Sequence, residues 1–134
     1  MPITCEPRPD ENLVIFRHVG EVTDIEFLTF YKRFFEDSNV SSALNLLVEL
    51  QQTSSTPRSV GALRLLSEFL HGKFAGRPEQ RRIAVVAPQH LSFGLARMYE
   101  VFSACLSWEF VVFRDHEAAL PWLGIPERIR QTSE

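Results

Sequence analysis

Apolar residues fall in short unbroken runs, separated by stretches in which they recur at helical spacing. Residues 13–19, Leu-Val-Ile-Phe-Arg-His-Val, read as a strand with Gly20 as its stop. Residues 3–6 can form a short partner strand, which makes residues 7–10 a hairpin loop. Residues 44–50, Leu-Asn-Leu-Leu-Val-Glu-Leu, read as a central strand, followed by a polar loop that begins at Gln51. Residues 83–87 form a second fully buried strand stopped by Pro88, and residues 110–113 a further buried one. Between these runs the period changes to that of a helix. Phe27, Tyr31 and Phe34 share a stripe widened by Leu28 and Phe35, while Lys32, Arg33 and Glu36 point elsewhere. Thr23 with Glu26 makes a capping box for that helix, which is expected to run to about Asp37. Thr56-Pro57 reads as the start of a second helix, with Val60, Leu63, Leu66, Leu70 and Phe74 on its buried stripe and Gly76-Arg77-Pro78 as its end. Residues 91–106 make a third helix, with Leu91, Leu95, Met98, Phe102 and Cys105 in line. Asp115 caps a short last helix through Leu123, which Pro121 should bend or end.

The order is β-β-α-β-α-β-α-β-α. The strand runs lack polar alternation, as in strands covered on both faces, and strands alternating with helices imply right-handed crossovers. The expected fold is therefore α/β, a mostly parallel four- to five-stranded sheet flanked by helices. At 134 residues the chain has room for one ordinary domain, placed at residues 1–126, with a polar tail at 127–134.

Composition narrows the classes. With 45% hydrophobic and 23% charged residues, neither disorder nor a membrane protein is indicated. A net charge of −3 gives no general attraction to nucleic-acid phosphates, and no apolar run is long enough for integral membrane association. The first residues have neither a basic start nor an apolar stretch, so a cytoplasmic location is expected. Cys5 and Cys105 are too few for a disulfide scaffold, and Cys105 is expected as a small core residue. Phe supplies 11 aromatic residues against two Trp and two Tyr, an investment in packing without polar handles. Phe30 and Phe93 fall off their helices' main stripes, which marks them as places to look for function if they are exposed or line a cavity.

Several segments together resemble the SpoIIAA-like family, a branch of the STAS/Sec14-type folds. They are Gly20-Glu21-Val22-Thr23, Leu47-Val48-Glu49-Leu50, Arg82-Ile83-Ala84-Val85-Val86, Phe93 to Glu100 and Phe113 to Leu123. The resemblance spans about residues 12–125, rests on mostly structural motifs, and implies a bacterial cytoplasmic domain largely without assigned biochemistry. Two positions depart from it: Glu49 stands where relatives often carry Asp, and Pro121 interrupts a motif that is usually an unbroken helix. In anti-sigma-factor antagonists a serine near the start of the second helix is phosphorylated. The equivalent stretch here is Arg58-Ser59-Val60-Gly61, so Ser59 is a possible phosphoacceptor without the flanking Asp and second Ser.

Candidate binding residues cluster where strands end. Ser54, Ser55, Thr56, Arg58 and Ser59 follow the central strand, and Gln89 with His90 follows the next; that edge of an open α/β sheet is where ligands bind. The alternatives are a solvated loop with Thr56 only a cap, and a loop histidine without a role. The helix expected over 91–106 carries a surplus of apolar positions, Phe93 and Tyr99 among them, with Arg97 and Glu100 as its only charges. The surplus suits a small apolar ligand, a homodimer interface, or cover by another element. His71, Lys73, Arg77, Arg81 and Arg82 make a basic stretch that reads as a solvated connection or as a lure for an acidic partner. No metal spacing, cofactor motif or catalytic signature stands out. The expected function is non-enzymatic binding of a protein partner, with a small apolar ligand as the alternative.

Overall fold

The computed structural model describes residues 3–36, 44–53, 60–74, 76, 80–87 and 108–125. Strands β1 (Ile3–Arg8) and β2 (Leu13–Gly20) form an antiparallel hairpin around a 3-10 turn at Pro9–Glu11. Asn12 closes that turn in the left-handed region (φ 54°), its N–H donating to the Pro9 carbonyl at 3.0 Å. Helix α1 (Asp24–Glu36), β3 (Asn45–Thr53), α2 (Val60–Phe74), β4 (Arg82–Val86), β5 (Glu109–Phe113) and α3 (His116–Trp122) complete the order. The five strands lie in chain order, β1-β2-β3-β4-β5. Strands β2 to β5 are parallel and β1 is antiparallel, so the sheet is mixed.

The period of two along each strand divides the core. Val14, Phe16, Leu46, Val48, Ile83 and Val85 face α1 and α2 in one buried cluster. Leu13, Ile15, Leu47, Ala84 and Val86 face the other way and pack on Ala119, Leu120 and Leu123 of the α3 segment. Phe16, fully buried, sits under the edges of Phe30, Tyr31 and Phe34, with ring centroids 4.9, 5.2 and 4.8 Å away. Phe30 is therefore half-buried packing at the margin of the core: its ring reaches sideways from the α1 stripe onto β2. The capping box forms as expected. The Thr23 N–H donates to Glu26 Oε1 at 3.0 Å and the Glu26 N–H to Thr23 Oγ1 at 3.1 Å. Asp115 Oδ1 accepts from the Ala118 N–H at 2.8 Å. Helix α3 ends one residue after Pro121 in a Schellman turn. The Ile125 N–H reaches the Leu120 carbonyl and the Gly124 N–H the Pro121 carbonyl, both at 3.0 Å, with Gly124 at φ 82°.

Four expectations are corrected. Pro7 and Arg8 belong to β1 rather than to the hairpin loop; an edge strand tolerates the missing proline donor. Strand β3 runs on through Gln51, Gln52 and Thr53 because β2 continues beside it to Gly20. Strand β5 is half-buried, not fully buried, since it has a strand neighbour on one side only among the described residues. Arg81 is not part of a solvated connection: it is 4% exposed, with its guanidinium over the rings of Phe35 (5.4 Å) and Trp108 (4.8 Å).

Candidate functional site: a charge chain from the hairpin to the last helix

Glu49 is the single charged residue in its strand run. It points to the α3 face and its side chain is 7% exposed. A carboxylate at that depth requires cations. His116 Nδ1, in the first turn of α3, lies 3.1 Å from Glu49 Oε1, an ion-pair contact rather than a well-aligned hydrogen bond. Arg17 Nε of β2 lies 3.5 Å from Glu49 Oε2. Arg17 Nη1 in turn donates to Glu6 Oε1 of β1 at 2.6 Å, and Arg8 Nε donates to Glu6 Oε2 at 2.6 Å. Arg8 Nη1 also approaches Glu11 at 3.5 Å. The signs alternate along the whole line, from Glu11 at the hairpin turn to His116.

Local backbone geometry sets the position of Glu49. Arg17 pairs with Glu49, but Val19 pairs with Gln52, so β3 holds one extra residue directly after Glu49. Such a bulge bends the strand and re-aims neighbouring side chains. Val86, the last residue of β4, lies opposite Glu49, and β5 ends at Phe113, just before Asp115 caps the helix that carries His116. Glu49, Arg17 and His116 therefore lie toward the carboxyl edge of the parallel strands, and the chain runs from there through Glu6 and Arg8 to the hairpin turn at the amino end of β2.

The ionisation states follow from these contacts. Burial pushes the Glu49 carboxyl up, but His116 and Arg17 together outweigh it and hold it below the ordinary carboxylate range. The Glu49 carboxylate raises His116 above its ordinary value, against the pull of burial. Arg17 and Arg8, by hydrogen bonding, hold Glu6 low. On the opposite face His18 and Tyr31 form a second buried polar contact, with Nε2 to Oη 2.8 Å, inside the aromatic layer.

The sequence-predicted residues Ser54, Ser55, Thr56, Arg58, Ser59, Gln89, His90, Phe93, Arg97 and Tyr99 lie outside the described residues, as does Cys105. Sequence reasoning missed the Glu49–His116–Arg17 cluster. The available signal was Glu49 itself, a lone carboxylate in an apolar run; nothing local says which cation meets it. Glu49 and His116 offer two metal-ligand types, and no group of three or more His, Cys, Asp or Glu suited to a metal occurs among the described residues. No helix among them is long and apolar enough to cross a membrane.

No family model matches the chain, and no curated protein matches it. Among solved structures it is similar to an uncharacterized protein of the DUF3478 family from Shewanella loihica PV-4, described as having a SpoIIAA-like fold. The TM-score is 0.56 at 22% identity, over 90% of this chain and 91% of that one. The mixed five-stranded α/β architecture is thus a SpoIIAA-like fold. This agrees with the resemblance carried by the segments from Gly20-Glu21-Val22-Thr23 to the Phe113–Leu123 stretch.

Proposed function

We propose that the chain is a non-enzymatic, cytoplasmic regulatory module that binds a protein partner, on the pattern of anti-sigma-factor antagonists. One observation carries the reading: within a SpoIIAA-like fold, Glu49, Arg17 and His116 near the carboxyl edge of the sheet are joined to Glu6 and Arg8 in a chain of alternating charges. Acid–base catalysis by two carboxylates needs environments that drive their pKa values apart. Glu6 and Glu49 are both held low, so both are charged acceptors near neutral pH. A saturated ion-pair chain serves recognition and scaffolding better than proton transfer. The partner surface is the segment after β3, including Ser59 as phosphoacceptor, together with α2.

Affinity isolation of the full chain, repeated with Ser59→Asp and Thr56→Ala, tests the reading. Loss of a defined partner with Ser59→Asp supports it. If neither change alters any interaction, that loop is not the interface. The alternative is a small apolar ligand held between residues 91–106 and the sheet, and it rests on the apolar surplus of that stretch. A co-purifying mass in native mass spectrometry would favour the alternative. Light scattering over a concentration series reads any self-association.

A further inference from the structure

We propose that the His116–Glu49 contact is a proton-operated latch that docks α3 on the sheet. It is closed while His116 is charged and opens when His116 loses its proton. The inference is independent of the partner-binding reading and rests on how α3 is attached.

Helix α3 has seven residues, two turns that would not persist alone in water. It lies on Leu13, Ile15, Leu47, Ala84 and Val86 through Ala119, Leu120 and Leu123. Among the described residues, a polar contact fastens each of its ends to the sheet. At the carboxyl end Arg82 Nη1 donates to the Trp122 carbonyl at 2.8 Å, and the guanidinium lies 5.5 Å from the Trp122 ring. A guanidinium keeps its charge at every accessible pH, so that fastener does not titrate. At the amino end the fastener is His116 on Glu49, and the imidazole does titrate. A cation in the first turn of a helix opposes the helix dipole. Glu49 is what makes a charged His116 favourable there.

Among the described residues, charged groups face the latch from several elements. Arg17 of β2 contacts Glu49 and is itself held by Glu6 of β1. Asp115 and Glu117 flank His116 on its own element; Glu117 adds to the rise in the His116 pKa, and Arg17 opposes it. Arg114 precedes Asp115 at the end of β5, and Arg82 of β4 sits at the far end of α3.

The direction follows from these contacts. His116 is raised above its ordinary 6.5, so the latch is fully closed below that value and is lost as pH climbs through the raised one. Glu49 is lowered from 4.5, so the latch is present above that value and fails as pH falls through the lowered one. At the alkaline end Glu49 keeps Arg17 at 3.5 Å, so the sheet side stays intact and only the helix lets go. Opening uncovers the five apolar residues under α3.

Hydrogen exchange on the full chain, corrected for intrinsic rates, reads the latch directly. The reporters are the amides of Leu123, Gly124 and Ile125, which donate to carbonyls of α3. Their protection should fall between about pH 5.5 and pH 9, by at most about tenfold per pH unit. The midpoint should match the titration of the His116 ring followed by NMR in the same sample. Amides of Leu66 and Leu70 in α2 should keep their protection. His116→Gln and Glu49→Gln should each abolish the pH dependence. Unchanged α3 protection across the range overturns the proposal. So does a fall shared by α2, a midpoint away from the His116 titration, or a pH dependence that survives in His116→Gln. If either variant fails to fold, the wild-type comparison of midpoint and α2 control still decides.

Discussion

The two faces of the sheet are held in different ways. On one, α1 and α2 lay a thick aromatic layer over β2, β3 and β4. Phe16 is enclosed by three ring edges, and Phe35, Phe74 and Trp108 stack beside Arg81. Polar groups that enter this layer, His18 and Arg81, are absorbed by Tyr31 and by ring faces. On the other, small residues such as Ala84 meet a two-turn helix, and a chain of charges runs from beneath it to the hairpin. Topology explains the asymmetry. Strands laid down in chain order with right-handed crossovers place the connecting helices α1 and α2 on one face. Among the described residues, the opposite face is covered by the segment after the last strand. The first face is stabilised by buried area and dispersion, the second by fasteners at the ends of a small helix.

The largest expected effect separates the two directly. Phe16→Ala empties a site enclosed on all sides and should cost about 3–5 kcal/mol. Leu120→Ala should cost about 2–3 kcal/mol, because a short helix can settle towards the sheet and shrink the cavity. Urea unfolding of both variants measures the gap; equal losses would mean the faces are not held differently. Next in size is Arg17→Ala. Of the two cations beside the buried Glu49 among the described residues, it removes one and leaves His116, which is charged only at lower pH. The loss should be about 1 kcal/mol near pH 5.5, where the remaining pair still holds. It should reach about 2–3 kcal/mol near pH 9, below the full cost of an orphaned buried charge because the site is partly solvated. Denaturation at the two pH values checks it, and a pH-independent loss would show that His116 does not compensate for Arg17.

Legibility in the sequence tracks the range of the interaction. The Thr23–Glu26 box, the Asp115 cap, the hairpin and the strand runs are local patterns, and each stands close to where the sequence places it. The extension of β3 through Gln51, Gln52 and Thr53 is not local: it depends on the length of β2 beside it. The burial of Arg81 is hidden by its basic neighbours in sequence. Its parity with Ile83 and Val85, which face the aromatic layer, is the available sign. The pairing of Glu49 with His116 needs the sheet order, since β4 and β5 separate them along the chain. The aromatic excess is legible as core. Its assignment mainly to one face is not, because that depends on the strands following one another in order.

The smallest effects test the same contrast at the caps. Thr23 and Asp115 do equivalent jobs, each accepting an N–H three residues on, at 3.1 and 2.8 Å. Thr23→Ala and Asp115→Ala should each cost about 1 kcal/mol of helix stability. The readout should differ. Helix α1 buries Phe27, Tyr31, Phe34 and Phe35, so its first turn cannot fray far without breaking the core, and the loss should appear as a lower global unfolding midpoint. Helix α3 buries Ala119 and Leu120 alone within its seven residues. Its loss should appear first as weaker exchange protection at Leu123 to Ile125, with a smaller change in the midpoint. Local fraying of α1 in Thr23→Ala, as strong as that of α3 in Asp115→Ala, would show that packing does not distinguish the two faces.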